Sequence, residues 1–169
     1  LTSWEELVST ELRLALNHAV ADELDAALSR IVHCVAQLTD QQVWSRPHKE
    51  MNSIGNLLLH LAGNVGQLLV SGVGGEPDTR DRPAEFAARG PIPKADLLDR
   101  LTGVVNRAKA AVATASDTVL CQPIPIKRFD WTGLQAVIRC VAHFRGHTQE
   151  IIHMTRVLLG EQYQFAGQR

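Results

Sequence analysis

Thr132-Gly133-Leu134-Gln135-Ala136-Val137-Ile138-Arg139-Cys140-Val141-Ala142-His143-Phe144-Arg145-Gly146-His147 opens the stretch that decides the fold, and the pattern it starts runs on to Gly160. Asp130 or Thr132 supplies an N-cap, because a short oxygen-bearing side chain there accepts from the free amides of a first turn. Leu134, Val137, Ile138, Val141, Phe144, Ile151, Ile152, Thr155, Leu158 and Leu159 then form an apolar arc wider than a single stripe. A helix with so broad an arc must be covered on more than one side, so this is expected to be the most buried helix of the protein. Gly160 stops it.

Three more helices are needed to cover it, and the preceding chain offers three. From Ser3, with Glu6 placed for a capping box, Val20, Leu24, Ala27, Leu28, Ile31, Val35 and Leu38 recur at three- and four-residue steps, predicting a helix over about 3–38. Ser53 starts a second, with Ile54, Leu57, Leu58, Leu61, Val65, Leu68 and Leu69 on one face and Gly72, Gly74 and Gly75 at its end. A third spans about 94–115 on Leu97, Leu98, Leu101, Val104, Val105, Ala108 and Val112. The proline-rich stretch 74–93 reads as a long ordered loop, and Gln122-Pro123-Ile124-Pro125 cannot lie inside a helix. Four amphipathic helices make an all-α four-helix bundle, and residues 1–169 are read as one such domain. The unequal connections leave open which helices are parallel.

Composition excludes several classes of function. With 17 basic and 18 acidic residues the net charge is −1, so there is no basic excess of the kind that holds a nucleic-acid backbone. The longest apolar candidate for a membrane span, Ile54 to Val70, is interrupted by Asn56, His60, Asn64 and Gln67. Leu1 to Glu6 lacks the order of a signal peptide. The three cysteines, Cys34, Cys121 and Cys140, are too few and too scattered for a disulfide framework and fit a reducing cytoplasm. There is no phosphate-binding glycine loop and no Gly-x-Ser-x-Gly elbow, which argues against nucleotide hydrolysis and serine-esterase chemistry.

Chemistry gathers around histidine. His143 and His147 sit four apart on the fourth helix, offset by about 40° and one turn, a spacing at which two imidazoles can grip one ion. His60 belongs to a polar file, Asn56, His60, Asn64 and Gln67, beside the apolar stripe of the second helix. If that file borders the interior, three imidazoles meet and leave room for a solvent ligand, the open arrangement of a catalytic metal site. Periodicity alone places the file about 120° from the stripe centre, which favours a solvated face. Both readings stay open on spacing.

Three stretches carry a resemblance. Asn52-Ser53-Ile54-Gly55-Asn56-Leu57-Leu58-Leu59-His60-Leu61-Ala62-Gly63-Asn64 resembles the second-helix motif of the DinB-like family, and His143-Phe144-Arg145-Gly146-His147 resembles its H-x-x-x-H motif. Glu76 to Phe86 resembles a loop signature of one subfamily. The likeness covers about Trp44 to Gly160. It implies a four-helix bundle, commonly a homodimer, with a divalent metal, zinc or nickel, held by His60, His143 and His147. It also implies a small-molecule substrate, with related members similar to transferases and isomerases that use low-molecular-weight thiols; a non-catalytic, metal-stabilised stress or interaction protein is the alternative. The family often reads His-x-Gly-Gln-Ile where this chain has His147-Thr148-Gln149-Glu150-Ile151, so a carboxylate replaces an amide.

That carboxylate, Glu150, is the candidate catalytic residue, as a general base or as a partner that orients a ligand imidazole, set against an ordinary exposed side chain. Cys140 is read as a buried small hydrophobe, with a fourth ligand or nucleophile as the alternative. Asn56 and Asn64 either bond to His60 or substrate or face water. Arg80, Arg82 and Glu85 are read as loop-stabilising ion pairs, with anion binding at the cleft mouth as the alternative. Trp44 and Trp131 are read as packing, and His18, His33, His48 and His153 as surface or core-edge residues.

Overall fold

A computed structural model describes residues 4–126 and 130–167, with side chains from Val8 onward. The Ser3–Glu6 capping box lies outside the described residues. The four long helices fall where periodicity puts them. α1 is Trp4–Ala36, and a short α2, Asp40–Val43, follows it under a Thr39 cap. α3 is Ile54–Val65, prolonged without a break by a π-helical segment, Gly66–Val73. α4 is Arg82–Ala87, α5 Lys94–Thr114 and α6 Asp117–Cys121. α7 is Gly133–Leu159, and of the two candidate caps the one used is Thr132, in a capping box with Gln135. Among the described residues there is no strand, only a bridge between Pro123 and Thr132 that closes the turn into α7.

α1 and α3 occupy opposite corners of the bundle, each packed against both α5 and α7. The core is aliphatic, with Leu24, Ile31, Leu57, Leu61, Leu69, Leu101, Phe144 and Ile151 fully enclosed. The broad arc of α7 does not make it the most buried helix. Leu134 and Ile138 are exposed, and α3 takes that place, with every residue from Ile54 to Ala62 buried. The reason is the 74–93 connection, which is not merely a loop. It carries α4, and α4 packs on α3, closing the side that periodicity leaves to solvent. Asn56 anchors this cover: its Nδ2 donates to the carbonyls of Glu85 and Ala88 at 2.9 and 3.0 Å. Trp44 pins the end of the connection, donating from Nε1 to Ile92 O at 2.9 Å, and its indole lies over Gly55, where a Cβ would come within 3.0 Å.

Ile54–Val73 is long and apolar enough to cross a membrane by length and composition, which extends the interrupted stretch weighed from sequence. Its position is that of a core helix, with 78% of that window buried against the rest of the protein.

Candidate metal centre

α3 and α7 bring three imidazoles together. One ligand nitrogen from each of His60, His143 and His147 lies within 4.8 Å of the others. The ring centroids are 5.0 Å apart for His60 and His143, 5.2 Å for His60 and His147, and 4.5 Å for the i, i+4 pair. The solvated-face reading of the second-helix file therefore fails at His60, which is 5% exposed, and at Asn56, which is fully buried. Helical periodicity marks the side away from the stripe but is blind to a cover supplied from elsewhere in the chain.

Two of the rings have their Nδ1 engaged by a carboxylate. His60 Nδ1–H donates to Glu85 Oε2 at 3.0 Å, and His147 Nδ1–H donates to Glu150 Oε2 at 2.7 Å. A carboxylate on Nδ1 fixes the tautomer that leaves Nε2 as a lone-pair donor, which is the state a metal ligand needs. His60 Nε2 and His143 Nε2 face each other at 2.9 Å. Burial, then the charges of His147, His60, Arg80 and Arg82, depress the pKa of His143 to about 4, so this imidazole is neutral at ordinary pH. Three imidazoles converging on one point, two of them backed by carboxylates, are a donor set suited to a divalent ion.

Glu85 is held as tightly as the ring it supports. Arg80 donates to it twice, from Nε to Oε1 at 2.7 Å and from a terminal nitrogen to Oε2 at 2.9 Å. Both side chains are nearly enclosed, at 5% and 6% exposure. Burial alone would raise the Glu85 carboxyl, but the hydrogen bonds and charges of Arg80 and His60 bring it below the ordinary value. Arg80 is held in turn by Gln67 Oε1 at 3.1 Å. Gly63, one turn beyond His60, makes room for the pair: a Cβ there would lie 1.9 Å from Glu85 Oε1 and 3.0 Å from Arg80 Nε.

The ion-pair reading of Arg80 and Glu85 holds, but the contact between Glu85 and His60 is missing from the sequence reading. No local spacing signals it, since the two residues are 25 apart on different helices. The small Gly63, three residues after His60, is the one trace. Asn56 and Asn64 do not bond His60. Asn56 completes the capping box of Ser53 at the start of α3 and ties down α4, and Asn64 Oδ1 takes the long contact from Cys140 Sγ at 3.8 Å. Cys140 is fully buried, and burial pushes its thiol up to about 12, the state of an inert core cysteine. It is not in the three-imidazole group. Trp131 is half-buried under Arg139. His18, His48 and His153 are exposed, and His33 bonds Gln164 O at 2.7 Å.

The bundle and its cluster define a class: a helical protein with a candidate three-histidine metal site. Within that class the chain belongs to the family described as "Protein of unknown function (DUF1572)", which matches residues 15–167 and has the DinB-like fold. A solved structure described as a conserved protein from Enterococcus faecalis superposes with a TM-score of 0.69 at 18% identity, over 85% of this chain and 96% of that one. At that identity the likeness speaks for the fold alone. No curated protein matches the chain.

Proposed function

We propose that this protein is a metal-dependent enzyme that acts on a small molecule, of the thiol S-transferase or hydrolase type, with His60, His143 and His147 holding one zinc or nickel ion. The observation that carries the reading is the convergence of three ring nitrogens within 4.8 Å from two separate helices. A bound ion supplies Lewis acidity, which brings the pKa of a thiol or water it holds toward neutrality. The chain's own part is to hold three nitrogen donors in place. Glu85 and Glu150 fix the tautomers of His60 and His147, and the nearly enclosed Arg80 keeps Glu85 ionised. Glu150, 43% exposed, is also the carboxylate placed to move a proton to or from solvent. Three protein ligands leave coordination open for substrate, which separates this reading from a closed, purely structural site; the buried Cys140 thiol, already bonded to Asn64, is a poor fourth ligand.

Elemental analysis of freshly purified protein tests the reading. About one zinc or nickel per chain is expected, lost in His147→Ala, together with thiol-transfer or hydrolytic turnover that metal removal abolishes. Equal, negligible metal in both proteins would refute it.

The pairing of two copies implied by the resemblance has a candidate surface in the apolar groove between α1, α6 and α7. Val8, Leu12 and Leu134 line it and are exposed. Sedimentation should show a dimer that Leu12→Asp dissociates; a wild-type monomer would dismiss it.

A further inference from the structure

A cavity of about 600 Å³ lies between α3, α5 and the 74–93 connection, a size that suits a small organic molecule. None of the three clustered histidines lines it, but both members of the buried Arg80–Glu85 pair do, so the pair touches the cavity and His60 alike. Two features of its wall are not explained by packing. Gly66, Gln67, Val70 and Ser71 belong to the π-helical segment, and π turns are rare and found mostly at functional sites. Gly103 lies in the middle of α5, where glycine destabilises a helix relative to alanine, yet a Cβ there would meet nothing within 4 Å. The fold does not require this glycine, while the cavity gains the space it leaves.

Arg80 is the polar group that matters. A guanidinium has five N–H bonds. Three are spent, on the two oxygens of Glu85 and on Gln67 Oε1, and a fourth is turned toward His60 Nδ1 at 3.1 Å. The fifth, on the nitrogen that holds Gln67, has no acceptor among the described residues, although the side chain is only 5% exposed. Other charges on the wall are answered. Asp81 caps α4, Asp78 accepts from Gln67 and from the Arg80 amide, and Arg107 pairs with Glu76. Asp99 and Arg100, neighbours on α5, offset each other.

We propose that this cavity is a second ligand site, for a small organic acid that gives a carboxylate oxygen to Arg80 and lays an apolar body on Leu59, Ala62 and Val104. An acceptor is what Arg80 lacks, and a single negative charge is what the wall tolerates, because a phosphate dianion would stand near both Glu85 and Asp99. The site is read at the histidines, a consequence that rests on the metal reading given above. A carboxylate that draws on Arg80 leaves Glu85 a larger share of the His60 proton, which makes His60 a stronger donor. Acid and metal therefore strengthen each other, by the same factor in both directions.

The probes are benzoate and 3-phenylpropionate, each against its amide, with phenyl phosphate as the dianion, titrated into the protein as purified and after chelation. One of the two acids should bind roughly ten-fold more tightly than its amide, the margin of a charge-assisted hydrogen bond, and more tightly than phenyl phosphate. The backbone amide resonances of Gly63, Gly66 and Gly103 should shift as it binds. Gly103→Leu fills the cavity from α5 and should abolish binding without lowering the unfolding midpoint or the metal content. Saturating acid should tighten zinc binding at least about five-fold in wild type and not in Gly103→Leu. Acids that bind no better than amides, shifts that fall elsewhere, a tighter phenyl phosphate, or binding that survives in Gly103→Leu would overturn the second site and leave the metal reading standing. A protein that binds the acid but takes up no zinc would overturn the metal reading and the coupling while the site stands.

Discussion

His60 and His147 present nitrogens to the same cluster, and each gives its Nδ1 proton to a carboxylate, yet the two carboxylates arrive by different routes. Glu150 sits three residues beyond His147 on the same helix, and its side chain is 43% exposed. Glu85 comes from α4, across a connection, and is 6% exposed. Water shares the work of stabilising Glu150. Glu85 is nearly closed off from it, and a buried carboxylate is costly unless it is paired. The His60 side therefore needs Arg80 to neutralise the charge, Gly63 to leave space and Asn56 to hold α4 down. One hydrogen bond is a surface adjustment; its counterpart is a structural commitment of the whole connection.

Truncation should separate the two sides most sharply. Glu85→Ala strands the Arg80 guanidinium in the interior, and removal of one member of a buried pair costs about 3–5 kcal/mol. Glu150→Ala, at the surface, should stay within about 0.5 kcal/mol of wild type. Denaturant midpoints of the metal-free proteins decide this, and equal losses would break the comparison.

Metal affinity gives a finer measure. Gly63→Ala places a methyl where Glu85 Oε1 lies and should push the carboxylate off His60. Loss of an imidazole's outer partner typically weakens metal binding by about 10–100-fold, and competition against a chelator should show a loss in that range for Gly63→Ala. Glu150→Gln should cost less than about ten-fold, because water and the remaining carbonyl oxygen can serve His147.

Acid should weaken the metal-free protein through His143. Its pKa is depressed in the folded state to about 4, below the ordinary histidine value of about 6.5, so the unfolded chain binds the extra proton first. The contribution of this group is thus present in full above about pH 6.5 and declines as pH falls toward 4. Unfolding midpoints at neutral pH and at about pH 5 should show the decline, with a smaller one in His143→Asn and in protein carrying metal.

The smallest effect is expected at Cys140. A thiol with a pKa of about 12 in a sealed site should resist a thiol reagent that labels the exposed Cys121, and Cys140→Ser should leave metal content unchanged. Loss of metal in that variant would instead place the cysteine in the coordination sphere.

Much of this was open to reading along the chain. The His143–His147 pair and the Glu150 beside it follow from helical spacing, as do the stripes of α1, α3 and α5. Asn56 and His60 were not placed correctly by periodicity, because a helical wheel gives the angle between residues and not what lies opposite each angle. The exposed Leu134 and Ile138 failed in the reverse sense: an apolar arc shows what would gain from burial, and among the described residues nothing covers these two fully.

By itself the sequence determined four helices, the Ser53 cap of α3, two imidazoles on one face of α7 and a near-neutral balance of charge. These are local or compositional properties, set by backbone hydrogen bonding and side-chain spacing within a few residues. Only the tertiary structure decided that α4 folds back over α3 and that Glu85 and not a neighbour supports His60. Those depend on contacts between residues far apart in the chain, where burial changes the worth of a charge and no periodicity records the partner.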